Sequence, residues 1–507
     1  MVGAYLLVIG RSSFCSLLDL PNHLARATVM ADLMFHHGSR FGGAFHYHFM
    51  AIPYVLGDLL LAGLVTSLGP DTAGMVWECV TFLSLPCALL LYLRVARVPA
   101  TGQQIALLFA AYLSTDWFFF RGFLEFRLGI AVMLVALALA GLLRRRWSLG
   151  LFALYAVVVA CCYLVHLAAL VFVAAAVATS DILRWWFKDT DAKTEVNLWL
   201  PILLVFAWHF GFAVHFGRPE EASDNPISWG TVTDKLRAVT WDFRRFSGHS
   251  ETYLKGGFLL CLGLAGIATA QRYGSIRSWL TNPAIIEWAA LALMFLGLYV
   301  ALPSHYKDAT FVDVRALAAA SIFFVLVWVG SPGTSAPDRQ PIAGAAILSV
   351  LLLSLANLAV VAGYLSSQSA WIANYRRLVA VIPQGAHVLP ITPWLQAPFT
   401  HAGSLVVIDA GGLIPYLFSA DNGNPMKYFR YAQNLYAPGE DWLYKRRLGA
   451  VNWQKVGCDY QFLLVVKPFD PHWIDSSATT VAENSSAALL RVDRDAAVHQ
   501  NACPSPM

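Results

Sequence analysis

The sequence is poor in charged residues. Only 13% of its 507 residues are Asp, Glu, Lys or Arg, whereas 58% are hydrophobic. A soluble domain carries about 25% charged residues, so this composition excludes an ordinary water-soluble protein. The alternating ten-residue pattern of membrane β-barrel strands is also missing, which leaves helices as the spanning elements. The sequence therefore predicts an α-helical polytopic membrane protein.

Signatures of nucleotide-driven and nucleic-acid chemistry are missing as well. The chain has no Gly-rich phosphate-binding loop, no G-x-S-x-G motif and no zinc signature. Its formal net charge of +4 is small and dispersed. A nucleic-acid partner leaves a concentrated basic patch or tail. We therefore expect no nucleic-acid partner.

The eight cysteines fall into two groups. Six lie in or beside apolar runs, where a cysteine is typically a small buried hydrophobe: Cys15, Cys79, Cys87, Cys161, Cys162 and Cys261. Cys458 and Cys503 lie in a more polar tail. If that tail faces an oxidising compartment, these two cysteines either form a disulfide with each other or stay as free thiols, and the sequence leaves both alternatives open.

Long apolar segments set the predicted topology. We expect about eleven crossings, near 1–18, 73–95, 103–117, 126–143, 147–165, 167–184, 197–215, 256–271, 284–303, 314–331 and 341–363. Basic residues in short loops collect on the cytoplasmic side of a membrane. The following then share that side: Arg94, Arg97, Arg144 to Arg146, Arg184, Lys188, Lys193, Arg272, Arg277 and Arg339. This agreement requires segment 51–70, with Pro53 and Asp58, to lie on the outer surface without crossing.

The same topology places the unusual polar clusters outside the cytoplasm. They are segment 19–72, the turns near 116–127, 166 and 304–315, the loop 216–255 and the C-terminus. After 363 the composition changes, and "HVLPIT", "SLVVIDA", "YQFLLVVK" and "AALLRV" are typical of short buried strands. We therefore predict a transmembrane domain at 1–363 and a soluble α/β or α+β domain at 364–507. The expected location is a bacterial inner (plasma) membrane, with the C-terminal domain in the periplasm.

The stretch "SLLDLPNHLARA" follows the first apolar segment. Pro21 suits the first turn of a helix, which places Asp19 at the start and His23 and Arg26 one and two turns further along nearly the same face. The alternative is that Asp19 caps this helix and pairs with Arg26. Ionisable groups at the end of a transmembrane helix are costly and usually functional, so we expect a site here.

Two further stretches combine carboxylates with cations. "STDWFFFRGFLEFRLG" holds Asp116, Arg121, Glu125 and Arg127, and the planar fork of arginine suits a phosphate group. An aromatic belt with snorkelling arginines is the alternative. The stretch "LPSHYKDATFVDVRA" adds the cations Lys307 and Arg315 to the predicted site. The alternative is that this stretch is a solvated loop between two helices. His166 lies at a predicted outer turn. It is either a structural residue or a further residue of the site.

These features resemble those of the GT-C class of integral-membrane glycosyltransferases. The resemblance rests on "LLDLPNHLAR" after the first span, the outer helix "IPYVLGDLLL", the charged turn "FRGFLEFRLG" and the soluble domain after the last span. It implies that Asp19 acts as catalytic base or orients the acceptor, and that Asp116 or Glu125 is the second acidic residue. It also implies a polyprenyl-phosphate-linked sugar as donor. Leu20 follows Asp19 where an Asp-Glu pair would indicate a protein O-mannosyltransferase, so that subfamily is not indicated.

The chemistry of glycosyl transfer is compatible with these residues. A carboxylate takes the acceptor proton, and cations stabilise the departing lipid phosphate. We predict inversion by direct displacement, with Asp19 as base and Glu125 or Asp116 assisting. A divalent cation, Mg²⁺ or Mn²⁺, is an open alternative for that second carboxylate. The predicted phosphate and substrate ligands are His23, Arg26, Arg121, Arg127, His166, Lys307 and Arg315.

The sequence does not determine the acceptor, and it leaves two alternative functions open. The acceptor is a glycan, a lipid or a protein. A polysaccharide polymerase or ligase using Arg244, Arg245 and His249 of loop 216–255 is the first alternative function. A transporter or flippase of lipid-linked sugars is the second, although transporters place charges near the middle of the membrane and often contain internal repeats.

Overall fold

A computed structural model describes most of the chain. The described residues are 1–12, 17–47, 49–187, 192–215, 227–237, 249–273, 276–306, 309–329, 341–392, 400–417, 426–428, 451–470, 472, 474 and 478–493. Among the predicted functional residues, Lys307, Arg244 and Arg245 lie outside these ranges, as do Cys15 and Cys503.

Most of the described chain is helical. The helices of the N-terminal part are α1 (Val2–Arg11), α2 (Leu20–Phe35), α3 (Val55–Leu68), α4 (Pro70–Val95), α5 (Ala100–Leu113), α6 (Trp117–Arg121), α7 (Leu124–Arg145), α8 (Leu149–Val165), α9 (Leu167–Trp186), α10 (Ala192–His215), α11 (Val232–Arg237), α12 (Ser250–Arg272), α13 (Ile276–Leu280), α14 (Pro283–Ala301), α15 (Arg315–Val329) and α16 (Pro341–Val379). Helices α17 (Leu405–Ala410) and α18 (Trp453–Asp459) follow. The strands are β1 (Phe45–Tyr47), β2 (His305–Tyr306), β3 (Ala309–Thr310), β4 (Val388–Ile391), β5 (Met426–Tyr428), β6 (Phe462–Val466), β7 (Ala478–Glu483) and β8 (Ala487–Val492).

Each of the eleven predicted spans overlaps a helix of the structure. Within the described residues, six helices are long and apolar enough to cross a membrane: Pro70–Val95, Leu124–Arg145, Leu167–Trp186, Ser250–Gln271, Pro283–Ala301 and Gly344–Val379. Shorter apolar helices are Val2–Arg11, Val55–Leu68, Leu149–Val165 and Arg315–Val329. The chain is therefore a polytopic helical membrane protein, and the number of eleven crossings stays a prediction.

Helix α7 separates two groups of charges. Glu125 lies in its first turn, and Arg144 in its last turn contacts Asp181 of α9 and Glu195 of α10. The 22 residues of this helix span about 33 Å at 1.5 Å per residue. That length matches the hydrocarbon thickness of a bilayer, about 30 Å. The two charged groups therefore lie near opposite ends of the membrane-spanning helices, as the sequence predicts.

The C-terminal part contains a small mixed sheet in the order β4-β6-β8-β7. Strands β4 and β6 are parallel, whereas β8 is antiparallel to both of its neighbours. Three of the four predicted strand segments are confirmed as β4, β6 and β8. The prediction of a strand in "SLVVIDA" is wrong, because Leu405–Ala410 forms helix α17. A short run that is buried on every side has no periodicity that distinguishes strand from helix.

This C-terminal part packs directly on the membrane part. Helix α16 continues past 363, the predicted domain boundary, to Val379. Strand β5 pairs antiparallel with β1, which lies between α2 and α3. The guanidinium of Arg376 bridges Asp409 and Asp71, with an Nη1 to Oδ2 distance of 3.1 Å to Asp71. Side chains from both parts share one apolar cluster that runs from Tyr5 to Leu489. The C-terminal part is therefore held against α2, α16 and the N-terminal end of α4.

Candidate functional site

Asp19 is held at the start of α2 by the segment that precedes α7. The backbone amides of Leu18 and Asp19 donate to the carbonyl oxygens of Phe120 and Arg121, both at 3.1 Å. Gly122 makes this approach possible. Its φ is +79°, and a Cβ there would lie 2.7 Å from the Asp19 nitrogen, so a larger residue would be strained and crowded. Pro21 lies in the first turn of α2, as predicted.

A buried ionic cluster lies one turn further along α2. The Arg26 guanidinium donates to Asp58 of α3 and lies 3.8 Å from Glu125 of α7. His23 Nδ1 is 3.2 Å from Arg26 Nη2 and 3.9 Å from the Glu125 carboxylate. Arg26, Asp58 and Glu125 are all buried. Burial, and then the charge of Arg26, lower the pKa of His23 well below its usual value. His23 is therefore neutral near pH 7, and Arg26 supplies the positive charge of the cluster.

The close approach of α3 and α7 depends on Gly57. A Cβ at this position would lie 2.7 Å from Glu125 Cγ and 2.8 Å from Glu125 Oε1. We predict that Gly57→Ala pushes Glu125 away from Arg26 and costs about 1–3 kcal/mol of stability, the usual penalty for overpacking. Thermal unfolding in detergent measures this change. Gly63→Ala on the same helix is the matched control, because no atom lies within 4 Å of its added Cβ. Equal melting temperatures for the two variants would contradict the prediction.

An aromatic wall adjoins the ionic cluster. Tyr54 has a left-handed φ of 76°, a conformation that costs a non-glycine residue about 1–3 kcal/mol and tends to occur at functional sites. Its ring packs on His166, with the centroids 4.9 Å apart, and Phe126 packs on the same imidazole at 5.3 Å. Arg315 lies over Phe126, with 5.9 Å from Cζ to the ring centroid. His166 also caps α9, since its Nδ1 accepts from the Ala168 amide at 3.1 Å.

Two more residues lie beside Asp19. Arg121 stacks over Trp117, with 4.9 Å from Cζ to the ring centroid. Burial lowers the pKa of Arg121, and the neighbouring Asp19 carboxylate offsets part of that effect. His401, from the C-terminal part, places Nε2 3.5 Å from Asp19 Oδ1. Asp19 therefore lies between a cation and an imidazole.

Asp116 and Arg127 point elsewhere and pair with each other. Arg127 Nη1 lies 2.5 Å from Asp116 Oδ2, and Asp116 also accepts from the Phe119 amide at 3.0 Å, which caps α6. Both residues line a cavity of about 540 Å³ between α5, α7, α12 and α15. Its walls are mainly apolar and include Tyr112, Trp117, Phe118, Phe258, Leu317 and Ile322, with Glu251 and Lys255 as further charged residues. The geometry thus separates Glu125, in the cluster of Arg26, from Asp116, in this cavity.

The carboxylates of the ionic cluster raise the question of a metal ion. One ligand atom from each of His23, Asp58 and Glu125 lies within 4.8 Å of the others. However, Arg26 donates to Asp58 and lies close to Glu125, so a guanidinium already pairs with these carboxylates and offsets part of the charge that would attract a cation. A divalent ion would have to displace it. The residues present therefore fit an internal ion pair better than a metal.

The structure thus brings together seven of the ten predicted site residues. Asp19, His23, Arg26, Arg121, Glu125, His166 and Arg315 lie around one region near the N-terminal ends of α2, α7, α9 and α15, whereas Asp116 and Arg127 line the neighbouring cavity. Sequence reasoning missed Asp58, Tyr54 and His401 as site residues. A carboxylate within the apolar run "IPYVLGDLLL" is a signal that could have identified Asp58.

Comparison with known proteins identifies the fold. No protein-family profile and no curated protein matches the sequence. Two solved structures are similar, both of ArnT from Cupriavidus metallidurans at 11% sequence identity. The apo structure has a TM-score of 0.51 and aligns with 97% of this chain and 96% of ArnT. The structure bound to undecaprenyl phosphate has a TM-score of 0.52 and aligns with 96% of each chain. ArnT is a GT-C glycosyltransferase, so this chain has the GT-C fold that its sequence resembles.

Proposed function

We propose that the protein is a membrane glycosyltransferase that moves a sugar from a polyprenyl-phosphate donor to an acceptor on the extracytoplasmic face, with Asp19 as general base. The observation that carries this proposal is the setting of Asp19. Its carboxylate lies beside Arg121 and His401 at the outer end of a GT-C-type helical bundle, with a side-chain exposure of 13%. A carboxylate that is mostly shielded but still reachable is suited to accept a proton from a bound hydroxyl.

The reaction follows from the charges around that carboxylate. As the acceptor oxygen bonds to the anomeric carbon, its proton passes to Asp19 and the bond from that carbon to the phosphate oxygen breaks. The leaving phosphate gains negative charge, which fixed cations stabilise. Arg121 lies next to Asp19, and Arg315 lies over the rings of Phe123 and Phe126. A single base and direct displacement imply inversion at the anomeric carbon.

A binding place for the lipid is the cavity of about 540 Å³ beside the site. Its apolar walls suit an isoprenoid chain, since apolar surface removed from water contributes about 25 cal/mol per Å². Arg127 and Lys255 supply two cations to the same cavity, where the carboxylates of Asp116 and Glu251 balance their charge. The ArnT structure bound to undecaprenyl phosphate supports a lipid phosphate as ligand. In this scheme Asp116 orients Arg127, and Glu125 balances Arg26.

The proposed orientation puts the site and the C-terminal part in the periplasm of a bacterial inner membrane. The positive-inside pattern supports it, because Arg144 and Arg184 lie at the other end of the helices. A second observation agrees: Cys458 is disulfide-bonded, which is typical of an oxidising compartment. A glycan, a lipid and a protein all remain candidate acceptors.

Purified protein in proteoliposomes tests the function directly. We expect transfer from at least one member of a panel of polyprenyl-phosphate sugars, offered with lipid, glycan and peptide acceptors. Product length discriminates a transferase from a polymerase, because a polymerase would add many units. Absence of transfer from every donor, together with movement of a labelled lipid-linked sugar across the bilayer, would instead identify a transporter.

A further inference from the structure

We infer that His401, which belongs to the C-terminal part of the chain, is a positioning residue for Asp19, whose carboxylate it holds through its Nε2–H group. The inference rests on the proposed function, in which Asp19 is the base. The distance from His401 Nε2 to Asp19 Oδ1 is 3.5 Å, and the two side chains are 11% and 13% exposed. A residue supplied from 382 positions further along the chain thus completes the environment of Asp19.

Neighbouring hydrogen bonds fix which imidazole nitrogen carries the proton. Asn22 Nδ2 lies 2.8 Å from the carbonyl oxygen of Tyr416. A carbonyl oxygen only accepts, so the Asn22 atom at this place must be the amide nitrogen. The same Nδ2 lies 3.4 Å from His401 Nδ1, which is therefore the accepting nitrogen. A neutral imidazole whose Nδ1 accepts carries its proton on Nε2, the atom that faces Asp19.

Burial keeps this imidazole neutral, since it lowers the pKa of His401 to about 4. A neutral N–H donor steadies the ionised carboxylate and fixes its direction, but it brings no positive charge that would compete with the acceptor proton. Hydrogen bonds to a charged partner are stronger than those between neutral groups. The contact therefore holds Asp19 ready to accept a proton.

The backbone around His401 is tightly packed. The residue directly precedes the 3-10 helix Ala402–Ser404, which leads into α17, and both pack on α2. A Cβ at Gly403 would lie 2.3 Å from Pro390 Cβ, so this turn lies directly against β4. His401 is thereby carried to the start of α2 on a rigid support. A site group that is supported in this way loses little entropy when the reaction geometry is reached.

The groups that face Asp19 determine the expected pH dependence. Among the described residues, Arg121 of α6 and His401 of the C-terminal part lie beside Asp19, and His23 of α2 lies close to His401. Removing the His401 donor leaves Arg121 as the neighbour that favours the ionised carboxylate. The carboxylate then takes up a proton more readily, because it has lost a hydrogen bond to its charged form. The acid limb of the pH–rate profile is expected to move to higher pH.

Three variants of the full chain test this role by donor-dependent transfer kinetics. For His401→Ala we expect kcat to fall about 10- to 100-fold while KM for the donor stays within about twofold, since the residue acts through Asp19 rather than on the donor. His401→Gln places an amide N–H near the former Nε2 and should restore most of kcat and the wild-type acid limb. His472→Ala, an exposed histidine of the same part of the chain, is the matched control. Wild-type kcat and pH profile in His401→Ala, or equal damage in the Gln and Ala variants with equal loss of melting temperature, would overturn the inference.

A readout without turnover separates this inference from the proposed function. In protein labelled with ¹⁵N-histidine, the His401 signals, assigned by their loss in His401→Gln, should show the neutral Nε2–H tautomer down to about pH 5 and should shift in Asp19→Asn. An Nδ1–H tautomer, or signals indifferent to Asp19→Asn, would refute the positioning role. If the wild-type protein transfers no sugar, the proposed function fails, and these spectra still decide whether His401 holds Asp19.

Discussion

An Asp19→Asn variant is expected to lose about 10²- to 10⁴-fold in kcat, the usual contribution of a positioned general base. Asparagine has the same shape as aspartate and keeps an accepting oxygen that can face His401 Nε2, which lies 3.5 Å from the present carboxylate. It cannot accept the proton of a sugar acceptor. The loss should therefore fall on the chemical step, with KM for the donor little changed.

The controls for this experiment use the same chemical change away from the site. Asp470→Asn alters an exposed aspartate of the C-terminal part and should leave kcat and KM at wild-type values. Melting temperatures of both variants should match that of the wild-type protein. Retention of full transfer by Asp19→Asn would remove the base from the mechanism, while the fold and the lipid-binding proposal would stand.

How far the site follows from the sequence depends on the distance along the chain between its parts. The spacing of Asp19, His23 and Arg26 around Pro21 fixes their common helix face, because helix geometry is local. The gathering of Glu125, His166 and Arg315 at one end follows from the topology. The choice between Glu125 and Asp116 could not be made, since the two lie on either side of the α6 turn and face different neighbours.

The contacts that sequence reasoning missed are long-range. Arg26 pairs with Asp58, 32 residues away, and His401 reaches Asp19 from the far end of the chain. Neither contact can be recognised from the neighbouring sequence, because each depends on how α3 and α17 pack against α2. The wrong strand at Leu405–Ala410 has a similar origin. The buried environment of that segment, created by α2 and α16, decides its conformation, whereas propensity is a weak guide.

The ionic cluster has one cation for two carboxylates. Arg26 faces both Asp58 and Glu125, while His23 is neutral. Such a buried arrangement adds little net stability compared with apolar residues of similar size, yet removing one partner leaves a buried charge that nothing compensates. The cluster therefore ties α2, α3 and α7 into one arrangement around Asp19, and disturbing it should affect both folding and catalysis.

Arg26→Met is therefore expected to lower the free energy of unfolding by about 3–5 kcal/mol, the usual cost of removing one partner from a buried ion pair. Unfolding midpoints in detergent, compared at a fixed lipid content, measure the loss. Arg376→Met is the control for removing an ion pair as such, since Arg376 is 29% exposed in its pairs with Asp71 and Asp409 and should cost at most about 1 kcal/mol. The double variant Arg26→Met with Asp58→Leu should recover part of the stability, because Asp58 then leaves no unpaired charge and Glu125 is the one carboxylate of the cluster that has lost its cation.

The same variant tests whether the site prefers its internal cation to a metal. Without the guanidinium, the ligand atoms of His23, Asp58 and Glu125, which lie within 4.8 Å of one another, offer one imidazole and two carboxylates to a divalent ion, a ligand set found in many metal sites. Mn²⁺ or Zn²⁺ should therefore raise the melting temperature of Arg26→Met and leave that of the wild-type protein unchanged, since binding to the folded state alone stabilises it. Stabilisation of the wild-type protein by Mn²⁺ that is lost in Glu125→Gln would show that a metal, rather than Arg26, balances these carboxylates.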